Sequence, residues 1–141
     1  MVNQSFNGCS SLTQIKIPSS VTTIDSAAFN RCSSLTQIEI PSSITKIRDQ
    51  VLDNYSSLKQ IEIPSSVNII DYRVFYNCSS LKQIKIPPTK TEIGDQVFCH
   101  CFSLTQIEIP SSVTKIGKSI EIPSSVTIIG YRAFYKCSSL K

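Results

Sequence analysis

Six cysteines and a single histidine are the residues of this chain with the most chemical potential, and three of them, Cys99, His100 and Cys101, are consecutive. Thiolates and imidazole are the preferred ligands of zinc, so the triplet invites a metal reading. Its register argues against one. Cys101 recurs in a repeating pattern with Cys9, Cys32, Cys78 and Cys137, a packing position, whereas Cys99 and His100 align with Asn30 and Arg31 on an expected outer turn. Ligands divided between an inward column and an outer turn do not converge on one ion, and no fourth ligand is near. No metal and no organic cofactor is expected.

Nucleophilic chemistry is equally unsupported. A Ser-His-Asp triad would have to assemble around His100 on that turn, and no Gly-x-Ser-x-Gly elbow occurs. The four glycines make no phosphate-cradling loop; three stand alone behind an isoleucine and read as turn residues. The chain is therefore not expected to be an enzyme.

The elements that must carry these residues are set by a period. Leu12, Leu35, Leu58, Leu81 and Leu104, and likewise Pro18, Pro41, Pro64, Pro87 and Pro110, recur in steps of 23 residues. A repeat of that length denotes a solenoid whose units gain stability only by stacking on one another. In Leu35 to Pro41, Ile38 and Ile40 alternate with Gln37 and Glu39, the period-two pattern of a half-buried strand. Pro41 has no N–H and ends the ladder, and Ser42-Ser43 supply a turn whose hydroxyls can bond local backbone. The spacing of Ile44 and Ile47 predicts a short second strand, with a 3₁₀-like turn as the alternative. Ala28, Phe29 and Cys32 then share one side of a single helical turn on the outer side.

Phe6, Phe29, Phe75, Phe98 and Phe134 occupy one column of this pattern, with Leu52 substituting once; Tyr55 substitutes once in the cysteine column. Both columns are expected in the core, which favours free thiols. Coil spacing still brings Cys9 near Cys32, and Cys78 near Cys101, within disulfide range, so either redox state remains open.

With its columns Leu-x-x-Ile-x-Ile-Pro, Val-x-x-Ile-Gly and Ala-Phe-x-x-Cys, the last exemplified by Ala133-Phe134-Tyr135-Lys136-Cys137, the chain resembles the BspA-like, or Treponema pallidum class, leucine-rich repeats. The resemblance covers nearly the whole chain. It implies a right-handed, curved, mainly β solenoid of about six coils, with short helical or 3₁₀ turns on the convex side and the Leu-x-x-Ile-x-Ile strands lining the concave face. It also implies a surface-associated, adhesin-like protein whose partner is a host-cell, matrix or other surface protein.

If the strands line the concave face, two outward columns become the candidate recognition surface. One contains Gln14, Gln37, Gln60, Gln83 and Gln106; the other contains Lys16, Glu39, Glu62, Lys85, Glu108 and Glu121. Glu39 and Glu62 are adjacent like charges, which cost stability on a sheet and which a cationic partner would relieve. Stacked glutamines can also satisfy one another along the sheet, as can solvent and salt for the carboxylates, so a spacer or incomplete repeat with no ligand of its own is the alternative. On the convex side, Tyr72-Arg73 and Tyr131-Arg132 bring residue types common at binding hot spots to a position that elsewhere reads Ser26-Ala27, Asp49-Gln50 and Asp95-Gln96.

A net charge of +4, spread without clusters, gives no footprint for nucleic acid. The N-terminus has neither the basic nor the apolar region of a signal peptide, and no apolar run reaches the length of a membrane span, which leaves the cellular address unknown beyond the surface association that the resemblance implies. Residues 1–141 are expected to form a single repeat domain that starts and ends in mid-repeat, with uncapped coils able to self-associate. Between Pro110 and Pro123 the step falls to 13 residues. A coil lacking its Phe, Cys and Leu positions, with a kink near residues 117–121, is the expectation there. Lys90 interrupts a column of valine and isoleucine, so its turn must let the ammonium reach water.

Overall fold

The alternation of isoleucine with polar residues becomes a stack of very short strands. The computed structural model describes residues 5–87, 89, 92–108 and 132–140. Its strands are β1 (Gln14–Lys16), β2 (Gln37–Glu39), β3 (Lys46–Ile47), β4 (Gln60–Glu62), β5 (Ile69–Ile70), β6 (Gln83–Lys85), β7 (Glu92–Ile93) and β8 (Gln106–Glu108). All pairings are parallel, and each joins a residue to its equivalent one repeat later, as in Gln14 with Gln37 and Ile84 with Ile107. The second strand anticipated after Ile44 is present as β3, β5 and β7, a ladder that Ile24 extends by a bridge to Ile47.

Between the two ladders runs the core. Leu35, Leu58, Leu81 and Leu104 are fully buried, as are Ile44, Ile47, Val67 and Ile70. The phenylalanines stack in register, with ring centroids 5.2 Å apart for Phe6 and Phe29, 5.5 Å for Phe75 and Phe98, and 5.1 Å for Phe98 and Phe134. At Leu52 the aromatic column is interrupted, and in the same coil the fully buried Tyr55 brings a ring to the cysteine column. One coil thus moves its ring by three positions.

The outer segment is a run of turns rather than a helix. Bonds of the 3₁₀ type close it, from Ala28 N–H to Asp25 O and from Cys32 N–H to Phe29 O, but two residues per coil take left-handed backbone and stop propagation. One left-handed column contains Ala27, Gln50, Arg73, Gln96 and Arg132; the other contains Arg31, Asn54, Asn77, His100 and Lys136, with φ from 54° to 64° across both. Such backbone costs about 1 kcal/mol or more per non-glycine residue. Here it turns the N–H along the stack, so that Arg31, Asn54 and Asn77 donate to Asp53, Tyr76 and Cys99 carbonyls of the next coil at 3.0, 2.9 and 2.8 Å. Hydrogen bonding between coils offsets the strain of each turn.

Two expectations change at this level. In two coils the second serine of the pair bonds the preceding coil rather than its own turn: Ser43 Oγ donates to Val21 O and Ser66 Oγ to Ile44 O, while the backbone closes the turn from Val67 N–H to Pro64 O. Gly94, read as a turn residue, is needed for close approach, because a Cβ there would lie 2.9 Å from the Asp71 carbonyl carbon.

At the break in the period, residues 132–140 sit directly on the coil of Phe98. Phe98 N–H bonds Ala133 O at 2.7 Å and His100 N–H bonds Tyr135 O at 3.0 Å. Among the described residues the Phe and Cys columns therefore run from Phe98 directly to Phe134 and Cys137, while the coil expected to lack those positions lies outside the described residues. The kink expected near residues 117–121 and the setting of Lys90 lie outside the described residues.

Candidate interaction surfaces

The outward strand positions form a continuous face. Gln14, Lys16, Gln37, Glu39, Gln60, Glu62, Lys85 and Gln106 are exposed and Gln83 is half-buried; Glu108 lies in β8, and Glu121 falls outside the described residues. Along the charged column, Lys16 pairs in register with Glu39, Glu62 with Lys85, and Lys85 with Glu108. Lys85 Nζ reaches Glu62 Oε1 at 3.4 Å, with both side chains more than half exposed, so this pair adds little stability.

One step differs. β2 and β4 lie side by side, yet among the described residues no ladder joins them, and the face divides into β1–β2 and β4–β6–β8. This is the step at which Glu39 meets Glu62. Wherever the column alternates in sign the ladder is closed; where two carboxylates are neighbours it is open, in the direction like-charge repulsion dictates. The second sheet and the outer turns stay bonded across the same pair of coils, through Ile47 with Ile70 and Asn54 with Tyr76. Over the seam lies a shallow depression of about 370 Å³ lined by Gln37, Glu39, Gln60, Glu62, Gln83 and Lys85, with Ile38 and Ile61 at its floor. An adjoining depression of about 470 Å³ extends it toward Ile63, Pro64 and Pro87. The lining has carboxylates, amides and one ammonium, which suits a cationic or amide-bearing side chain.

The cysteines take no part in such a surface. All six carry free thiols, and four donate to the carbonyl of the Phe column in the preceding coil: Cys32 to Phe6 O, Cys78 to Leu52 O, Cys101 to Phe75 O and Cys137 to Phe98 O, at 3.0 to 3.3 Å. Burial pushes the Cys137 thiol up to about 12, and the hydrogen bond with Cys78 together with burial raises Cys101 well above the usual thiol range. Such thiols are poor nucleophiles. Cys99 proves to be buried as well, not displayed on the outer turn, and among the described residues no cluster of metal-ligating side chains forms. Asn30 and Asp53 in the same column are likewise buried, whereas Tyr76 is half-buried and Tyr135 exposed.

Asp53 is held by amides: Asn54 Nδ2 donates at 2.6 Å, Asn30 Nδ2 at 3.4 Å, and Asn77 Nδ2 in turn reaches Asn54 Oδ1 at 2.9 Å. Desolvation raises its carboxyl to about 6, opposed by the nearby Arg73 guanidinium and the Asn30 amide. Arg73 itself is fixed, its Nε bonded to Gln96 Oε1 at 2.8 Å and its guanidinium over the rings of Tyr72 and Tyr76 at 4.9 and 4.6 Å. Of the convex pairs singled out from sequence, Tyr72-Arg73 is thus a packed assembly, and Tyr131 lies outside the described residues. Sequence reasoning passed over Phe102, an exposed ring at a position that reads serine in Ser33, Ser56, Ser79 and Ser138. Its departure from the repeat was the available signal.

A solenoid of short parallel strands, with one leucine and one proline marking each coil, is a leucine-rich repeat protein. The chain belongs to the BspA-type leucine-rich repeat family, matching it in six copies over residues 1–120 and 117–141. It is similar to a leucine-rich cell surface protein of Faecalibacterium prausnitzii, 35% identical over 76% of this chain with a TM-score of 0.73, and spans 28% of that protein's length. The T. pallidum leucine-rich repeat protein is 28% identical over 99% of this chain and 71% of its own, with a TM-score of 0.81. A leucine-rich repeat protein from Eubacterium ventriosum, 23% identical over 89% of this chain and 43% of its own, shares the fold at a TM-score of 0.61. No curated protein matches the sequence. Leucine-rich repeat proteins are typically protein-interaction modules, and among the described residues no helix is long and apolar enough to cross a membrane.

Proposed function

We propose that this chain is a non-enzymatic protein-interaction module, part of a surface-associated, adhesin-like protein, whose concave strand face receives a basic side chain of a protein partner at the seam between β2 and β4. The observation that carries the reading is the opening of the ladder where Glu39 and Glu62 are neighbours. A lysine or arginine placed between them removes the repulsion of two carboxylates and gains charge-assisted hydrogen bonds, with Gln37 and Gln60 fixing its direction. Likeness to the F. prausnitzii cell surface protein supports surface association. The partner would accordingly be a host-cell, matrix or other surface protein.

Binding to a panel of purified extracellular-matrix and cell-surface proteins tests this, repeated with Glu39→Gln, Glu62→Gln and Gln37→Ala. The expected result is a partner whose affinity falls by about tenfold or more in the glutamate variants and declines steeply with salt. Binding untouched by all three substitutions would exclude the concave face. No binding at all would favour the spacer role.

A further inference from the structure

The repeat acts as its own control, because a position that one coil fills with serine or asparagine does not need an aromatic ring to fold. Judged this way, the later coils carry an unexplained surface on the outer turns. In the column of Asn30 and Asp53, the later coils place Tyr76 and Tyr135; in the column of Asn54 and Asn77 they place His100 and Lys136; and Phe102 stands in the serine column. These departures meet in space. His100 is packed edge-on against Tyr76, Phe102 and Tyr135, with centroids 5.3, 5.5 and 6.2 Å away. Phe102 and Tyr135, 41% and 43% exposed, are the exposed large hydrophobic side chains among the described residues, and one histidine joins them.

Cations surround the rings. The Arg132 guanidinium lies 4.9 Å and the Lys136 ammonium 5.5 Å from the Tyr135 centroid, and Arg73 is clamped over Tyr76 beside them. Of the carboxylates on these outer turns, Asp53 is buried and Asp95 is exposed. An apolar patch rimmed by preorganised cations suits a ligand that is acidic and carries apolar side chains. Rings already covered by guanidinium leave less flat area for stacking a base or a sugar, which favours a peptide. We infer that the convex surface formed by Tyr76, His100, Phe102, Arg132, Tyr135 and Lys136 is a second docking site, separate from the concave face, for an acidic protein segment bearing apolar residues.

The chain has no tryptophan, so emission from a tryptophan-labelled peptide reports the ligand alone. The probe is a short peptide of glutamates around two leucines, with a glutamine counterpart as control. Saturable binding is expected, weakened at least about tenfold in the glutamine peptide and at least about tenfold by Phe102→Ser with Tyr135→Asn, residues these columns already accept. The melting temperature of that variant should stay close to the parent's, and Glu39→Gln should leave binding unchanged. Absence of peptide binding at millimolar concentration, or binding that survives the double substitution, overturns the proposal. So does preferential binding of heparin or of phosphatidylserine vesicles over the peptide.

Discussion

Cys137 donates its thiol hydrogen to the Phe98 carbonyl at 3.0 Å across 39 residues, whereas Cys32, Cys78 and Cys101 make the equivalent bond across 26. Among the described residues the Phe and Cys columns thus pass from Phe98 directly to Phe134 and Cys137, although the sequence step there is 36 residues rather than 23. Deleting residues 111–123 joins Ile109-Pro110 to Ser124-Ser125-Val126 and restores the 23-residue step from Phe98 to Phe134. The shortened chain should fold cooperatively, with no fall in melting temperature and with amide-exchange protection retained at Phe134 and Cys137. Loss of that protection would show that the deleted residues support the last coil.

Leu52 and Tyr55 compensate for each other, because the ring missing from one core column appears in the next. Leu52→Phe alone overpacks the coil, at a cost of about 1 to 3 kcal/mol, and Tyr55→Cys alone leaves a cavity costing about 2 to 4 kcal/mol. Made together they rebuild the common Phe and Cys pair and should cost at least about 1 kcal/mol less than the sum. Additive losses in urea unfolding would refute the exchange. Among the described residues the buried Tyr55 hydroxyl has no partner better than the weak Cys32 thiol, so Tyr55→Phe should change stability by no more than about 1 kcal/mol.

Neighbouring serines should differ. Ser66 bonds the Ile44 carbonyl of the preceding coil at 2.7 Å, and Ser65 is exposed. Ser66→Ala is expected to lose about 1 kcal/mol in chemical unfolding and Ser65→Ala less than about 0.5 kcal/mol. Equal effects would assign the serines a turn role only.

Asp53 makes stability depend on pH in an uncommon direction. Its carboxyl is raised by burial from the ordinary 3.8 to about 6, so the folded chain holds this proton more tightly than the unfolded chain. The contribution is therefore fully present below about pH 4 and is lost as pH rises through about 6. Asp53→Asn should flatten the melting profile across that window and stabilise the neutral protein by on the order of 1 kcal/mol. An unchanged slope would place the titration elsewhere.

The fold was legible because a solenoid writes each core position five or six times, and Leu, Ile, Pro, Phe and Cys in register leave little ambiguity. The left-handed turn positions were not, since only Gly8 opens one of the two columns with the usual marker of such backbone, and the following described coils fill both with Ala, Gln, Arg, Asn, His and Lys. What selects them is bonding to the next coil, which side-chain type does not record. The outward strand columns could be named from alternation alone, and the like charges of Glu39 and Glu62 were visible. That the ladder opens between them depends on cross-strand geometry. On the outer turns, Cys99 aligns with Asn30 and Asp53, polar types that suggest exposure, yet all three are buried; Phe102 stands in a serine column that carries no packing signal.

The central claim, that the concave seam is where a partner engages, is tested most directly by amide hydrogen exchange of the chain with and without a captured surface-protein partner. Protection is predicted to rise at residues 37–39 and 60–62, where the ladder is open in the free chain, and to be lost in Glu39→Gln. Protection confined to the outer turns at residues 72–76, 99–102 and 132–136, with the strands unchanged, would contradict it.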